Sequence, residues 1–227
     1  MGVHLLLYWT AADGAGRREA FDALSDAILC LGSTATSRWT AQAAALRRVQ
    51  AGGTDDLPSV RTAASEVSLH RVSLSDEPEQ LLLLSRAAKQ VLQAGADMQA
   101  FLDRLALYKA RGSLQLEGSL HSLGDFSISL ARAVQAPQQD FLGLALDLCY
   151  QPLDDAALAA PLLQDLAAVL QEAAQAVGGT LRQVADGGSG FQLPATFGPR
   201  HRAVQYVLLM SLLQAGKELV GKGLSVH

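Results

Sequence analysis

The stretch from Leu105 to Pro152, LALYKARGSLQLEGSLHSLGDFSISLARAVQAPQQDFLGLALDLCYQP, constrains the fold more than any other part of the chain. Apolar residues recur at alternate positions in three runs: Leu114, Leu116 and then Leu120; Phe126, Ile128 and Leu130; Leu142, Leu144, Leu146 and Leu148. A period of two belongs to a strand with one buried face, because successive side chains point to opposite sides. Gly124-Asp125 and the run Ala136-Pro137-Gln138-Gln139-Asp140 interrupt the alternation with turn residues. The stretch predicts a three-stranded antiparallel meander.

Around it the pattern alternates between helix and strand. Val3 to Trp9 predicts a strand; it lacks the basic start and small-residue cleavage site of a signal peptide. Ala11 to Gly16 is a turn-rich break whose Gly-x-Gly lacks the residues of a phosphate loop. A helix is predicted from about Arg17 to Leu31, with Phe21, Leu24, Ile28 and Leu31 on one stripe and Gly32 at its end. Ser33 to Val49 reads as a strand leading into a segment without a clear pattern, and Gln50 to Pro58 as a loop. Glu66 to Leu74 alternates again, and Ser75 to Pro78 is a turn. The four leucines within Gln80 to Ser85 suit a strand buried on both faces, with Lys89 to Leu92 returning; a single helix from Glu79 to Ala94 fits the propensities as well.

Asp97 is read as the N-cap of a short helix carrying Met98, Phe101, Leu102 and Leu105. Pro161 is placed in the first turn of another helix, lined by Leu162, Leu166, Val169, Leu170, Ala173 and Val177 and stopped by Gly178-Gly179. After a loop from Ala185 to Pro199 comes a strongly apolar helix from Val204 to about Val220. The expected architecture is α+β: residues 1–220 form one domain, an antiparallel sheet long enough to close, flanked by three to four helices, with 221–227 a disordered tail.

Composition narrows the function classes. The 227 residues are 49% hydrophobic, enough for a substantial core. A net charge of −4 argues against a dedicated nucleic-acid binder. No run approaches the length of a membrane-spanning helix. Cys30 and Cys149 read as reduced thiols, which suits the cytosol or the nucleus.

Chemistry is thin. His4, His70, His121, His201 and His227 form no pair at metal-ligand spacing. His201 lies in Arg200-His-Arg202, which reads either as a solvated cluster at a helix start or as a contact to phosphate or an acidic partner. Lys109 and Arg111 read as a solvated strand start. Gly187-Gly-Ser-Gly190 is loop composition, and a nucleophile elbow is absent. A triphosphate-binding tunnel would need a lining of Glu, Lys and Arg. Opposite the leucines stand Ser113, Gln115, Glu117 and Ser119, then Ser127, Ser129, Ala131 and Ala133, then Gly143, Ala145, Asp147 and Cys149. Two carboxylates, Glu117 and Asp147, are too few for a divalent ion and a polyphosphate. No catalytic, cofactor-binding or metal-binding residue is predicted.

Tyr108-Lys-Ala-Arg111, Leu116-Glu-Gly118, Leu123-Gly-Asp-Phe126 and Leu148-Cys-Tyr-Gln-Pro152 resemble, in order and spacing, the Mediator subunit 20 family of the green lineage. Val3-His-Leu-Leu-Leu-Tyr-Trp9 resembles its first strand, and Phe197-Gly-Pro-Arg-His-Arg-Ala-Val-Gln-Tyr206 the lead into its last helix. The chain departs from the pattern over Ser33 to Ala64, which is alanine-rich, and over Ala173 to Gln192, which is rich in Gly and Ala.

The resemblance implies an antiparallel β-barrel of about eight strands, related to the RNA-triphosphatase tunnel but without its catalytic lining, and it favours strands over Glu79 to Ala94. It implies a non-enzymatic head-module subunit in the nucleus. Such a subunit forms a heterodimer with subunit 18, is anchored by subunit 8 beside other head subunits, and helps link regulators to RNA polymerase II. No cofactor, membrane or direct nucleic-acid contact is implied. The first strand and the outward faces of the meander are the candidate partner surfaces. Two alternatives stay open on the residues: a divergent triphosphate-tunnel metal-dependent phosphohydrolase, and a barrel that binds a small ligand.

Overall fold

A computed structural model describes residues 2–11, 17–48, 69–185 and 190–221. The elements run β1 (Val3–Ala11), α1 (Arg17–Cys30), β2 (Thr34–Arg48), β3 (Leu69–Leu74), β4 (Gln80–Ser85), β5 (Gln90–Gly95), α2 (Asp97–Leu105), β6 (Tyr108–Leu123), β7 (Phe126–Ala136), β8 (Asp140–Tyr150), α3 (Ala156–Ala176), β9 (Gly179–Gln183) and α4 (Pro199–Gly221). Among the described residues nine strands form one sheet in the order β5-β4-β3-β2-β6-β7-β8-β1-β9. Every neighbouring pair is antiparallel.

The meander is β6, β7 and β8, with Gly124-Asp125 as a two-residue turn that pairs Leu123 with Phe126. Gly124 has φ +57°, the left-handed conformation that glycine adopts without a Cβ penalty. Glu79 to Ala94 forms a hairpin of β4 and β5 and not a helix. The long segment after Ser33 is one continuous strand, β2, as far as Arg48. Its alanines hold it there: Ala41, Ala43 and Ala44 are buried, where small side chains let other elements approach.

The sheet curls until its two ends face one helix. α4 packs against β4 and β5 near one end of the strand order and against β1 and β8 near the other. Just beyond β9, Val184 N–H donates to Leu6 C=O of β1 at 2.9 Å, and further along Gln192 N–H donates to Lys89 C=O, next to β5, at 3.1 Å. The result is a curled, barrel-like sheet with a helix in its interior.

Two cores follow, one on each side of the sheet. Inside, α4 contributes Ala203, Val204, Tyr206, Val207, Leu209 and Met210, which meet Leu6, Trp39, Leu82, Leu84, Leu114 and Leu116. Outside, Ala20, Leu24 and Ile28 of α1 and Ala159, Leu163, Leu170 and Ala174 of α3 cover Val3, Leu5, Leu7, Ile128, Leu130, Leu144, Leu146 and Leu148. The alternating leucines of the meander therefore do not share a face, contrary to the reading from sequence. Those of β6 point inward, while those of β7 and β8 point outward under the helices. Opposite Leu116 in the interior stands Ala133, and Ala131 and Ala145 line the same face. Small residues there leave the width a helix needs. Leu142 is set apart from the other β8 leucines by a bulge at Ala133/Val134; it packs inward.

Several local expectations change. α3 begins before Pro161, capped by Asp155, whose carboxylate accepts from Ala157 N–H at 2.8 Å and Leu158 N–H at 3.3 Å. Its buried stripe is Ala159, Leu163, Leu170 and Ala174; Leu162 and Val169 are on the solvent side. Ala96, not Asp97, occupies the N-cap position of α2, without a side-chain cap, and no residue of α2 is buried. β1 pairs with β8 over Val3–Trp9 and with β9 over Leu7–Ala11, so most of its edge is already taken. The outward faces of β7 and β8 are covered by α1 and α3. The strand expected from Glu66 is described from Leu69 on; the Gln50 to Pro58 loop and the tail beyond residue 221 lie outside the described residues.

Candidate functional site

A polar cluster lies in the interior, where α4 enters the barrel. Alternation along β8 turns Asp147 inward on the same face as Ala145. Its register partner on β1 is Leu6. Asp147 is 4% exposed, and both of its oxygens are occupied. Oδ1 pairs with His4 Nδ1 at 2.8 Å. Oδ2 accepts the Tyr206 hydroxyl at 2.7 Å and Arg202 Nη2 at 3.2 Å.

Arg202 and Tyr206 lie four residues apart on α4, so both project from one side of the helix. Arg202 is 3% exposed and also reaches the turn between β3 and β4, where Nη1 lies 2.8 Å from Asp76 Oδ2 and 2.7 Å from Glu77 Oε1. Asp76 Oδ1 in turn accepts Trp39 Nε1–H of β2 at 3.2 Å. Beside the ion pairs, His4, Phe197 and His201 stack in sequence, with centroid separations of 5.9 and 4.9 Å. One cluster thus fastens α4 to β1, β2, β8 and the β3–β4 turn.

The charges tune one another. Burial disfavours the charged imidazole of His4, but the Asp147 carboxylate outweighs burial and the opposing Arg202 charge, raising the pKa to about 9. Burial likewise disfavours the Asp147 anion, yet His4 and Arg202 hold its carboxyl well below the usual range. Tyr206 is pushed well above its ordinary value by burial and then by the adjacent carboxylate. The cluster is therefore a set of fixed charges near neutral pH. Three of the roughly four acceptor sites of this carboxylate are taken by groups of the same chain, and burial keeps the group from solvent. The arrangement holds a helix; it does not present a base.

The remaining candidates are dispersed. Glu117 faces outward, opposite to Asp147, and pairs with Arg38 at 3.0 Å on an exposed surface. Lys109 and Arg111 are exposed, as expected. Arg202 is not on a solvated face: of the two readings of Arg200-His-Arg202, contact with acidic groups holds, but those groups belong to this chain. His70 is buried on β3, its pKa lowered to about 4 by burial and by Arg86. His121 is buried, its pKa lowered by burial, and its Nε2 lies 2.7 Å from Ser119 Oγ. Cys30 and Cys149 are free thiols, the first exposed and the second buried. Among the described residues no three His, Cys, Asp or Glu side chains are arranged to hold a metal ion. His227 and Gly187 to Ser189 lie outside them.

An open depression of about 370 Å³ lies on the outer surface of β2, β3 and β6, lined in part by Thr40, Gln42, Ser73, Gln80, Gln115 and Glu117. Its lining offers hydroxyls, amides and one carboxylate, and no cation.

The sequence signal for the cluster was present in pieces. Phe197, His201, Arg202 and Tyr206 all fall in the segment that resembles the lead into the family's last helix, and His4 in the segment that resembles its first strand. What the sequence lacked was the knowledge that the two segments touch.

No family model matches the chain. By sequence it is 25% identical over 170 residues to Mediator of RNA polymerase II transcription subunit 20b from Arabidopsis thaliana, covering 70% of this chain and 78% of that protein. Among solved structures, a chain of the Schizosaccharomyces pombe Mediator head module aligns at 12% identity with a TM-score of 0.37, over 77% of this chain and 96% of that one. A Hippeastrum protein described as a candidate adenylyl cyclase with a dominant triphosphatase activity aligns at 11% identity with a TM-score of 0.42, over 86% and 99%. Structural scores of this size carry no argument about function. The sequence match agrees with the motifs, and the chain is by sequence a relative of Mediator subunit 20.

Proposed function

We propose that the chain is a non-catalytic subunit of Mediator. In this reading it sits in the head module, in the nucleus, as the partner of a similarly folded subunit 18, with subunit 8 and other head subunits alongside. Its task is to help bridge transcription regulators and RNA polymerase II by protein–protein contact.

The observation that carries the reading is the similarity to the Arabidopsis subunit over 170 residues. The filled interior supports it. A triphosphate tunnel needs an open bore lined with charge, and a ligand-binding barrel needs an empty apolar one. Here α4 occupies that space with Val204, Tyr206, Val207 and Leu209, and the inward carboxylate is spent on His4, Arg202 and Tyr206.

The test is co-expression with the subunit-18 homologue of the same organism, followed by size-exclusion chromatography. A co-eluting one-to-one complex is expected. Two folded proteins that elute separately would overturn the pairing. Divalent-metal-dependent release of phosphate from a nucleoside triphosphate, abolished by the surface change Glu117→Gln, would overturn the non-catalytic assignment.

A further inference from the structure

A helix that covers a sheet should be apolar on one side and polar on the other. α3 is not. Its buried side is Ala159, Leu163, Leu170 and Ala174. Its solvent side carries Leu158, 62% exposed, Leu162, 40%, and Val169, 45%. A helix apolar around its circumference is ordinarily covered on all sides.

The solvent-side residues have a definite period. Leu158, Leu162, Asp165, Val169, Glu172 and Ala176 are all exposed, and they follow one another at intervals of four, three, four, three and four. That is the seam spacing of a helix that packs lengthwise against another helix. Four seam positions are apolar and two are acidic, with Asp165 and Glu172 one heptad apart. No Lys or Arg occurs anywhere in α3. The neighbouring α1, which packs against α3 on the same face of the sheet, carries the exposed carboxylates Glu19 and Asp26, the exposed pair Arg18–Asp22 and the exposed Leu29.

We propose that the outer face of α3 is the docking site for a basic amphipathic helix supplied by another protein chain. The partner helix lays an apolar stripe along Leu158, Leu162 and Val169. It places Lys or Arg at heptad spacing against Asp165 and Glu172. Charge selects this occupant over a second copy of the chain. Whichever way the two helices ran, pairing α3 with itself would bury four carboxylates, two from each copy, along a seam that has no base to offset them. The docking face rests on α3 and its neighbour α1, and not on the assembly named above.

The probe is a synthetic amphipathic helix with leucine at its seam positions and lysine at the two layers facing Asp165 and Glu172. A control peptide carries glutamate at those layers. Binding to the full chain is followed by fluorescence anisotropy at low and high salt. The lysine peptide is expected to bind at least about tenfold more tightly than the glutamate peptide, with the difference shrinking as salt rises. Leu162→Glu with Val169→Glu should abolish binding without unfolding the chain, since both side chains are already exposed, and circular dichroism checks this. The pair Asp165→Lys and Glu172→Lys should invert the preference.

Equal binding of the two peptides, no binding of the lysine peptide, or binding indifferent to Leu162 and Val169 would overturn the proposal. So would a homodimer in sedimentation that Leu162→Glu dissociates. A chain that fails to pair with a second barrel but still binds the lysine peptide would fail the reading of the previous subsection and leave this one standing.

Discussion

The hydroxyl of Tyr206 donates to Asp147 Oδ2 at 2.7 Å across the inside of the barrel, tying a helix to a strand 59 residues earlier in the chain. With Arg202 and His4 on the same carboxylate, this bond makes the interior helix part of the sheet's own structure.

Asp147→Asn should be among the most damaging single changes in the protein. It leaves Arg202 and His4 facing a neutral amide in a buried setting, and breaking a buried ion pair by removing one partner costs about 3–5 kcal/mol. Tyr206→Phe removes one hydrogen bond to a charged group and should cost about 1.5–3 kcal/mol. Urea unfolding of the two variants beside the parent measures both, and the order of the two is the sharper check.

Stability should pass through a maximum near pH 6.5. The folded pKa of His4 is raised from 6.5 to about 9, so its contribution is complete below 6.5 and is lost as the pH rises through 9. At about 1.4 kcal/mol for each pKa unit, the alkaline loss is at most about 3.5 kcal/mol. The pKa of His70 is lowered from 6.5 to about 4, so acidification through that window favours the unfolded chain, which takes the proton first. Thermal melts from pH 4 to 9 should show both limbs. His4→Gln should flatten the alkaline limb and His70→Gln the acid one.

Truncating the interior helix should cost far more than truncating the outer one. Leu209 is fully buried on α4, and Leu209→Ala should cost about 2–5 kcal/mol through lost burial and the cavity left behind. Leu158 on α3 is largely exposed, and Leu158→Ala should change stability by no more than about 0.5 kcal/mol. Comparable losses at the two positions would mean that Leu158 is as well covered as Leu209.

Gly118→Ala should destabilise by about 1–3 kcal/mol, the usual cost of forcing extra atoms into a packed site. A Cβ at that position would collide with the Leu130 carbonyl on the paired strand, where backbone has no flexible end to give way. Denaturant unfolding would show a lower midpoint at an unchanged slope.

Much of this fold could be read from the chain, including one feature that a stricter reading would have caught. The two-residue turn at Gly124-Asp125 pairs Leu123 with Phe126, so every even-numbered residue of β6 stands opposite an odd-numbered residue of β7. Leu114 and Leu116 therefore had to face away from Ile128 and Leu130. The turn and the alternation together fix two leucine faces, one for an inner core and one for an outer. The polar cluster was beyond such arithmetic. Asp147 and Arg202 are 55 residues apart, and only the curl of the whole sheet brings them to 3.2 Å. α3 misled for a different reason: with apolar residues on every side, its periodicity does not say which stripe is buried.

The position of β1 also bears on how the chain is made. Leu5 pairs with Leu148, and Trp9 pairs with Leu181. The strand is synthesised early, yet both of its neighbours arrive more than 130 residues later. At a ribosomal rate of about 5–20 residues per second, VHLLLYWTA waits roughly 7–30 s with both edges unpaired. An apolar strand in that state is prone to pair with whatever strand it meets. The strand order lets pairing run from the β5 end through β2, β6 and β7 to β8 as those strands emerge, and β1 can dock only after β8 has left the ribosome.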